Sequence, residues 1–186
     1  MNHVEVVYET GLRLKQYADK PMLFMLACLL HDIGNSFCTL RKVTESEYMG
    51  ETDPVKQSSL KGLMVAYRDQ HHNHSAIQAR EVCIRLGLPI EYVYYVQNMV
   101  IDHDGWRYGN QPFNNDTRLL RGADVSWMLN VHGIQRDLAR QKEYGLRVYS
   151  VEEMYAHNLK VVQPVLDTVP ELAPIIEEYK VEIFGK

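Results

Sequence analysis

Apolar residues recur three or four positions apart along most of the chain. Val4, Val7, Tyr8, Leu12 and Leu14 mark an amphipathic helix over residues 2–18. The run "PMLFMLACLL" (21–30) is apolar on every side, which predicts a buried helix continuing to about Asp32. Pro21 suits the first turn of that helix and Gly34 its end. A helical segment resumes near Ser58, and another runs from about His74 to Leu86 until "GLP" at 87–89 stops it. Ile90, Val93, Tyr94, Val96, Val100 and Ile101 space a buried helix over 90–103. Residues 116–141, 151–167 and 171–184 complete the pattern, with Pro164 and Pro170 as kink or boundary. No stretch alternates persuasively as strands do, and no internal repeat or low-complexity tract interrupts the periodicity. The expectation is an all-α fold, one domain over residues 1–186 with about seven helices.

Two stretches fall outside the helical pattern. Residues 33–57, with "SFCTLRKVTESEYMGETDPVKQ" at their heart, read as irregular and mostly polar. A connector of that length in a compact domain is often a functional lid or an insertion, and a disordered surface loop is the competing reading. The segment leaves directly from His31-Asp32, so as a lid it would border whatever site those residues form. The second stretch, "DGWRYGNQPFNN" (104–115), reads as a loop from its Gly, Pro and Asn content.

Composition narrows the functional classes. The chain has 186 residues, 46% of them hydrophobic, and a formal net charge of −4. Its 20 Lys and Arg are scattered among 24 acids, without the basic patch that a nucleic-acid polymer needs; a single nucleotide remains compatible. Cys28, Cys38 and Cys83 are odd in number and lack CxxC spacing, so free thiols in a reducing compartment are expected. The N-terminal "MNHVEVVYET" has no basic region followed by an apolar core, and the apolar run at 21–30 is about half of a membrane span. A cytoplasmic protein that engages no membrane is the expectation. A P-loop NTPase is excluded by the lack of GxxxxGK[ST].

The histidines carry the chemistry. His3 lies on the first helix, His31 and Asp32 stand where the apolar run stops, and His71, His72 and His74 cluster in "HHNH". His103 sits in "IDHDG", and Asp124 interrupts the apolar face of "LLRGADVSWML". Taken singly, each has an ordinary reading. "HHNH" suits a polar helix start capped by Asn73 or Ser75, Asp124 suits an ion pair with Arg121 or Arg118, and His132 and His157 suit the surface. Taken together, imidazole nitrogens and carboxylate oxygens on facing helices suit Zn, Mn, Fe, Co or Ni.

The same residues carry a resemblance. "LACLLHDIGN", "HHNHSAIQAREVCIRLGLP" and "NDTRLLRGADVSWMLNVHGIQR" follow one another in an order similar to that of the HD superfamily of metal-dependent phosphohydrolases, and in particular to its small stand-alone nucleotide hydrolases. The similarity spans residues 3–136. It implies an HD-type helical bundle in which His3, His31, Asp32 and Asp124 hold a first divalent metal, with Asp32 catalytic and the natural bridge to a second ion. The second ion's further ligands come from the segments with His71 and His103; His71 matches best, and His72 and His74 compete for the role. The chain departs from the pattern at Asn35, where many members have Lys or an acid, and in the length of 33–57.

Such a centre needs no serine or cysteine nucleophile, because a metal polarises the phosphoryl group and acidifies a water. A phosphate substrate also needs cations. Arg107 and Arg68 are the nearest candidates in sequence, with Arg41, Lys42 and Lys56 in or beside the 33–57 segment; each has an ordinary reading as a solvated surface charge. Trp106 and Tyr108 flank Arg107, where they either stack on a base or pack the loop. The expected function is hydrolysis of a phosphoester or phosphoanhydride in a small molecule, foremost a nucleotide, with one or two metal ions. A diiron oxygenase and a nucleotide sensor with weak turnover are the alternatives. A homo-oligomer is compatible with all three.

Overall fold

The computed structural model of the protein describes residues 1–40, 42–43, 45–145 and 147–185. The described residues form nine α-helices and no strand: α1 (His3–Leu14), α2 (Pro21–Leu30), α3 (Glu45–Gly50), α4 (Pro54–Arg85), α5 (Ile90–Asp102), α6 (Asn115–Ser126), α7 (Val131–Glu143), α8 (Val151–Leu166) and α9 (Ala173–Phe184). The all-α expectation is met, with more helices than the seven that periodicity predicts.

Local chemistry sets the helix starts. Asn2 caps α1 and Ser150 caps α8, each in a capping box with the glutamate three residues on, Glu5 and Glu153. Asp53 accepts from the amides of Val55 and Lys56 at the start of α4, and Pro54 occupies the position where its missing N–H costs nothing.

The apolar helix α2 lies at the centre, against α1, α4, α5 and α6. It buries Leu23, Phe24, Met25, Ala27, Cys28 and Leu30, and each large side chain contributes about 1.5–3 kcal/mol on burial. The core continues through Val96, Met99, Leu119, Leu120 and Leu129 to Val162 and Leu172. Most of the apolar run at 21–30 is thereby buried, although Met22 and Leu29 remain exposed.

Three boundaries differ from the sequence expectation. The helices expected from Ser58 and from His74 are one, because α4 runs unbroken for 32 residues. "RDQHHNH" therefore lies mid-helix, where neither Asn73 nor Ser75 caps anything. It is polar because His71 and His72 turn into the molecule, and a buried polar face reads in sequence like a loop. The helix expected at 116–141 is broken at 127–130, where Trp127–Leu129 tightens to a 3₁₀ turn and Asn130 caps α7 through the amide of His132. A Cβ at Gly133 would lie 1.9 Å from the Trp127 carbonyl oxygen, so only glycine permits the turn. Finally, residues 33–57 are not irregular throughout: Ile33–Phe37 forms a 3₁₀ turn, α3 follows, and α4 begins at Pro54.

Candidate metal centre

His31 and Asp32 owe their position to the end of α2. His31 is its last helical-geometry residue, with the backbone amide bonded to Ala27. Its Nδ1–H donates to the Cys28 carbonyl at 2.9 Å, which fixes the tautomer and leaves Nε2 facing His3 and Asp124. Asp32 then leaves helical geometry (φ −108°, ψ 8°). The chain next passes so close to α4 that a Cβ on Gly34 would sit 2.1 Å from the Ser75 amide nitrogen. The Gly34 amide donates to Ser75 Oγ at 2.9 Å. Ser75 is one turn beyond His71 on α4, so this contact brings Asp32 Oδ1 to 2.5 Å from His71 Nε2.

Two further helices complete the group. From α1, His3 Nε2 lies 3.0 Å from His31 Nε2, 3.3 Å from Asp32 Oδ2 and 3.1 Å from Asp124 Oδ1. From α6, Asp124 Oδ1 lies 3.6 Å from His31 Nε2. The Arg–Asp124 pairing is not formed: Arg121 is bonded to Asp102 and Arg118 to Glu171. Donor atoms bound about 2.0–2.2 Å from one ion and roughly at right angles lie about 3 Å from one another. His3 has that spacing to each of the other three, and His3, His31 and Asp32 offer ligand atoms that all lie within 4.8 Å of one another, so these donors fit a divalent ion with Asp124 beside them. Two carboxylates and two imidazoles would leave such a site near neutral.

A second group adjoins the first through Asp32. His71, His72, His103 and Asp104 offer ligand atoms that all lie within 4.8 Å of one another, and all four residues are buried. His103 Nδ1–H donates to the Val100 carbonyl at 2.6 Å, repeating the arrangement of His31 and Cys28. Its Nε2 is 3.8 Å from Asp32 Oδ1. Asp104 Oδ2 is 3.3 Å from His72 Nε2, and its Oδ1 accepts from Arg107 Nε at 3.1 Å. The sequence reading missed Asp104 and ranked His72 below His71. The motif "IDHDG" held the signal for Asp104, an acid beside a histidine already under suspicion.

Electrostatics separates the groups. Burial disfavours charge on His3, but hydrogen bonds to Asp124 and Asp32 outweigh it and raise its pKa to about 9. Burial of His31 is likewise outweighed by Asp32 and Asp124, and its pKa is raised. Burial alone would raise the two acids, yet the facing imidazoles hold Asp32 well below the carboxylate range and hold Asp124 below it. In the second group burial wins at His103, whose pKa is lowered. Against its own burial, Asp104 is held well below the usual range by His72 and Arg107.

The two groups open into a cavity of about 820 Å³. Arg68 and Arg107 both line it, but Arg107 is engaged by Asp104. Asn35, Lys42, Val43 and Gly50 bring the 33–57 segment to its wall. Lys56 is exposed on α4 and does not line it, and Arg41 lies outside the described residues. Neither Trp106 nor Tyr108 lines the cavity. Trp106 packs against the core, and the Tyr108 hydroxyl meets Asp69 at 3.3 Å, so the base-stacking expectation gives way to loop packing. His157 does line the cavity, contrary to its surface reading, whereas His74 belongs to neither group. Sequence reasoning missed Arg136 and Arg140 on α7, which face the same space.

No helix among the described residues is long and apolar enough to cross a membrane. Comparison of the chain with protein-family models, curated proteins and solved structures finds no match.

Proposed function

We propose that the protein is an HD-type metal-dependent phosphohydrolase acting on a phosphoester or phosphoanhydride of a small molecule, foremost a nucleotide. One observation carries the reading: His3 Nε2, from α1, lies 3.0–3.3 Å from donor atoms of His31 and Asp32 at the end of α2 and of Asp124 on α6, and Asp124 Oδ1 lies 3.6 Å from His31 Nε2. A divalent ion held there supplies a Lewis acid and an acidified water. His31 and His103 keep a fixed tautomer through their carbonyl partners, so their Nε2 atoms stay aimed inward. Asp32 is the residue shared by both groups. His31, His71, His72 and His103 are buried, whereas His3, Asp32 and Asp124 are partly exposed to the cavity.

The test is metal analysis of purified protein together with a phosphate-release screen over nucleoside mono-, di- and triphosphates, under strict exclusion of oxygen with Mn or Co added. Release of phosphate or pyrophosphate is expected. The second group, His71, His72, His103 and Asp104, favours a second reading, a diiron oxygenase, because it supplies the extra ligands that a second ion needs. Iron content with oxygen-dependent turnover and no phosphate release in any metal would establish that reading instead. Tight nucleotide binding without product would indicate a sensor.

A further inference from the structure

Lys42, Arg136 and Arg140 line the same cavity as Asp32, Asp124 and Asp104. Arg136 and Arg140 are one turn apart on α7 and so share a face. The Arg136 guanidinium lies over the Trp127 ring, 4.6 Å from its centroid, which fixes its plane. Its Nε is buried and has no hydrogen-bond partner. The Lys42 ammonium reaches over the Tyr67 ring at 5.7 Å.

These three cations are poorly compensated. Among the described residues, the ion pairs of Arg136 and Arg140 go to Asp137 alone, at 3.8 Å each, the outer edge of a salt bridge. Asp137 also accepts from Asn158 Nδ2 at 3.4 Å. Beyond Asp137, Asp32 and Asp124 act on Arg136, and Asp32 and Asp104 on Lys42, only at longer range. Burial chiefly lowers the pKa of Lys42, with Arg140 and Arg136 adding to it against Asp32 and Asp104, and burial with Arg140 lowers that of Arg136 against Asp137, Asp32 and Asp124. A buried guanidinium edge without an acceptor, beside like charges, is relieved by an anion with several acceptor oxygens.

We propose that Lys42, Arg136 and Arg140 form a subsite for the non-reacting phosphates of a small molecule that carries at least two contiguous phosphate groups. As a substrate preference this rests on the phosphohydrolase reading; as a binding site it does not. A single phosphate group is served by the metal centre alone. Cations beyond that centre have a use only when the ligand carries further negative charge to meet them. The substrate class is therefore phosphoanhydrides, such as nucleoside di- or triphosphates, in preference to monoesters.

The experiment is calorimetric titration of protein stripped of metal by chelator and dialysis, with inorganic tripolyphosphate and, separately, orthophosphate. Tripolyphosphate is expected to bind at least ten times more tightly than orthophosphate. Arg140→Gln and Lys42→Gln should each weaken tripolyphosphate about tenfold, and Arg136→Gln at least as much, whereas Lys180→Gln should change nothing. Arg136→Gln also removes the stack on Trp127, so the Arg140 and Lys42 variants decide the matter if it fails to fold. Equal binding of the two anions, or unchanged tripolyphosphate binding in Arg140→Gln and Lys42→Gln, would overturn the subsite. Tripolyphosphate binding that follows the expected pattern, without phosphate release in any metal, would keep the subsite and overturn the hydrolase reading.

Discussion

Two groups of imidazoles and carboxylates meet at Asp32, and they differ in how their negative charge is compensated. In the first, Asp32 and Asp124 face His3 and His31, and the acids answer their burial by drawing protons onto the imidazoles. In the second, Asp104 already has the Arg107 guanidinium, and His103 loses its proton to burial. A divalent ion entering the first group replaces imidazolium protons and meets two carboxylates. An ion entering the second meets one carboxylate that an arginine already holds. The difference predicts a tight first ion and a weaker second, and each experiment below probes one side of it.

The largest effect belongs to the acids of the first group. Removing an outer partner of a metal ligand costs about 10–100-fold in affinity; Asp32→Ala and Asp124→Ala, which remove proposed ligands themselves, should exceed that and abolish the proposed turnover with helical circular dichroism retained. Asp116 is the control on the same helix. It is fully buried, yet it accepts from the amides of Asp19 and Lys20 and from the Tyr95 hydroxyl. At about 1 kcal/mol for each of the three donors, the low end for unsatisfied partly buried groups, Asp116→Ala should lower the melting temperature by roughly 6–12 °C and leave bound metal unchanged. Metal content that follows Asp116 rather than Asp124 would break the assignment.

Next comes the contact that joins the groups. In Gly34→Ala the new methyl meets the Ser75 backbone, which has no flexible atom to yield. Overpacking of this kind costs about 1–3 kcal/mol, and the shift moves Asp32 away from His71. Denaturant unfolding should report the loss, and metal stoichiometry should fall from two ions toward one. An unperturbed second ion in this variant would mean that the two groups do not depend on the Gly34–Ser75 approach.

A pH effect of similar or smaller size separates the groups without substitution. The His3 pKa is about 9 in the folded protein against the ordinary 6.5. A raised pKa contributes stability that is fully present below the unfolded value and is lost as pH rises through the folded one. Metal-free protein should therefore lose on the order of 2 kcal/mol between pH 6.5 and 9, and His3→Ala should flatten that slope. Loading the metal across the same range should release protons. A metal-free stability that rises over this window would contradict the charge state assigned to the first group.

How much of this is legible in the sequence depends on whether a residue breaks a pattern. His31, Asp32 and Asp124 stand out because each interrupts an apolar helical run, and His3 follows from their order. The all-α fold is legible too, since α1 and α5 carry their periodicity openly and α2 is a continuous apolar run. His71 and His72 are harder, because a polar face turned inward looks like a loop, and that is why α4 reads as two helices. Arg136 and Arg140 are not legible at all. An arginine on an amphipathic helix looks the same whether it faces water or a cavity, and only the fold of α7 against the centre tells them apart. Asp104 lies between these cases, marked by its neighbour His103 but masked by the loop composition that follows.

Arg107→Gln gives the smallest effect and the sharpest distinction within the second group. Arg107 was a candidate for holding phosphate, yet its Nε–H donates to Asp104 Oδ1 and its guanidinium also lies 4.4 Å from the Trp106 ring centroid. If His71, His72, His103 and Asp104 form a cation site, the guanidinium opposes the incoming ion and occupies one of its ligand oxygens. Removing a unit charge at that distance in a partly solvated cavity is worth about 1.4 kcal/mol, a factor of about ten. The second ion should then bind about tenfold more tightly in Arg107→Gln, read by metal titration after the first site is filled, with KM for a phosphate substrate little changed. If Arg107 instead serves the substrate, the titration stays as in the wild type and KM rises. The two roles predict opposite patterns in the same pair of measurements, so one variant decides whether the second group is a metal site restrained by its arginine or a wall of the substrate pocket.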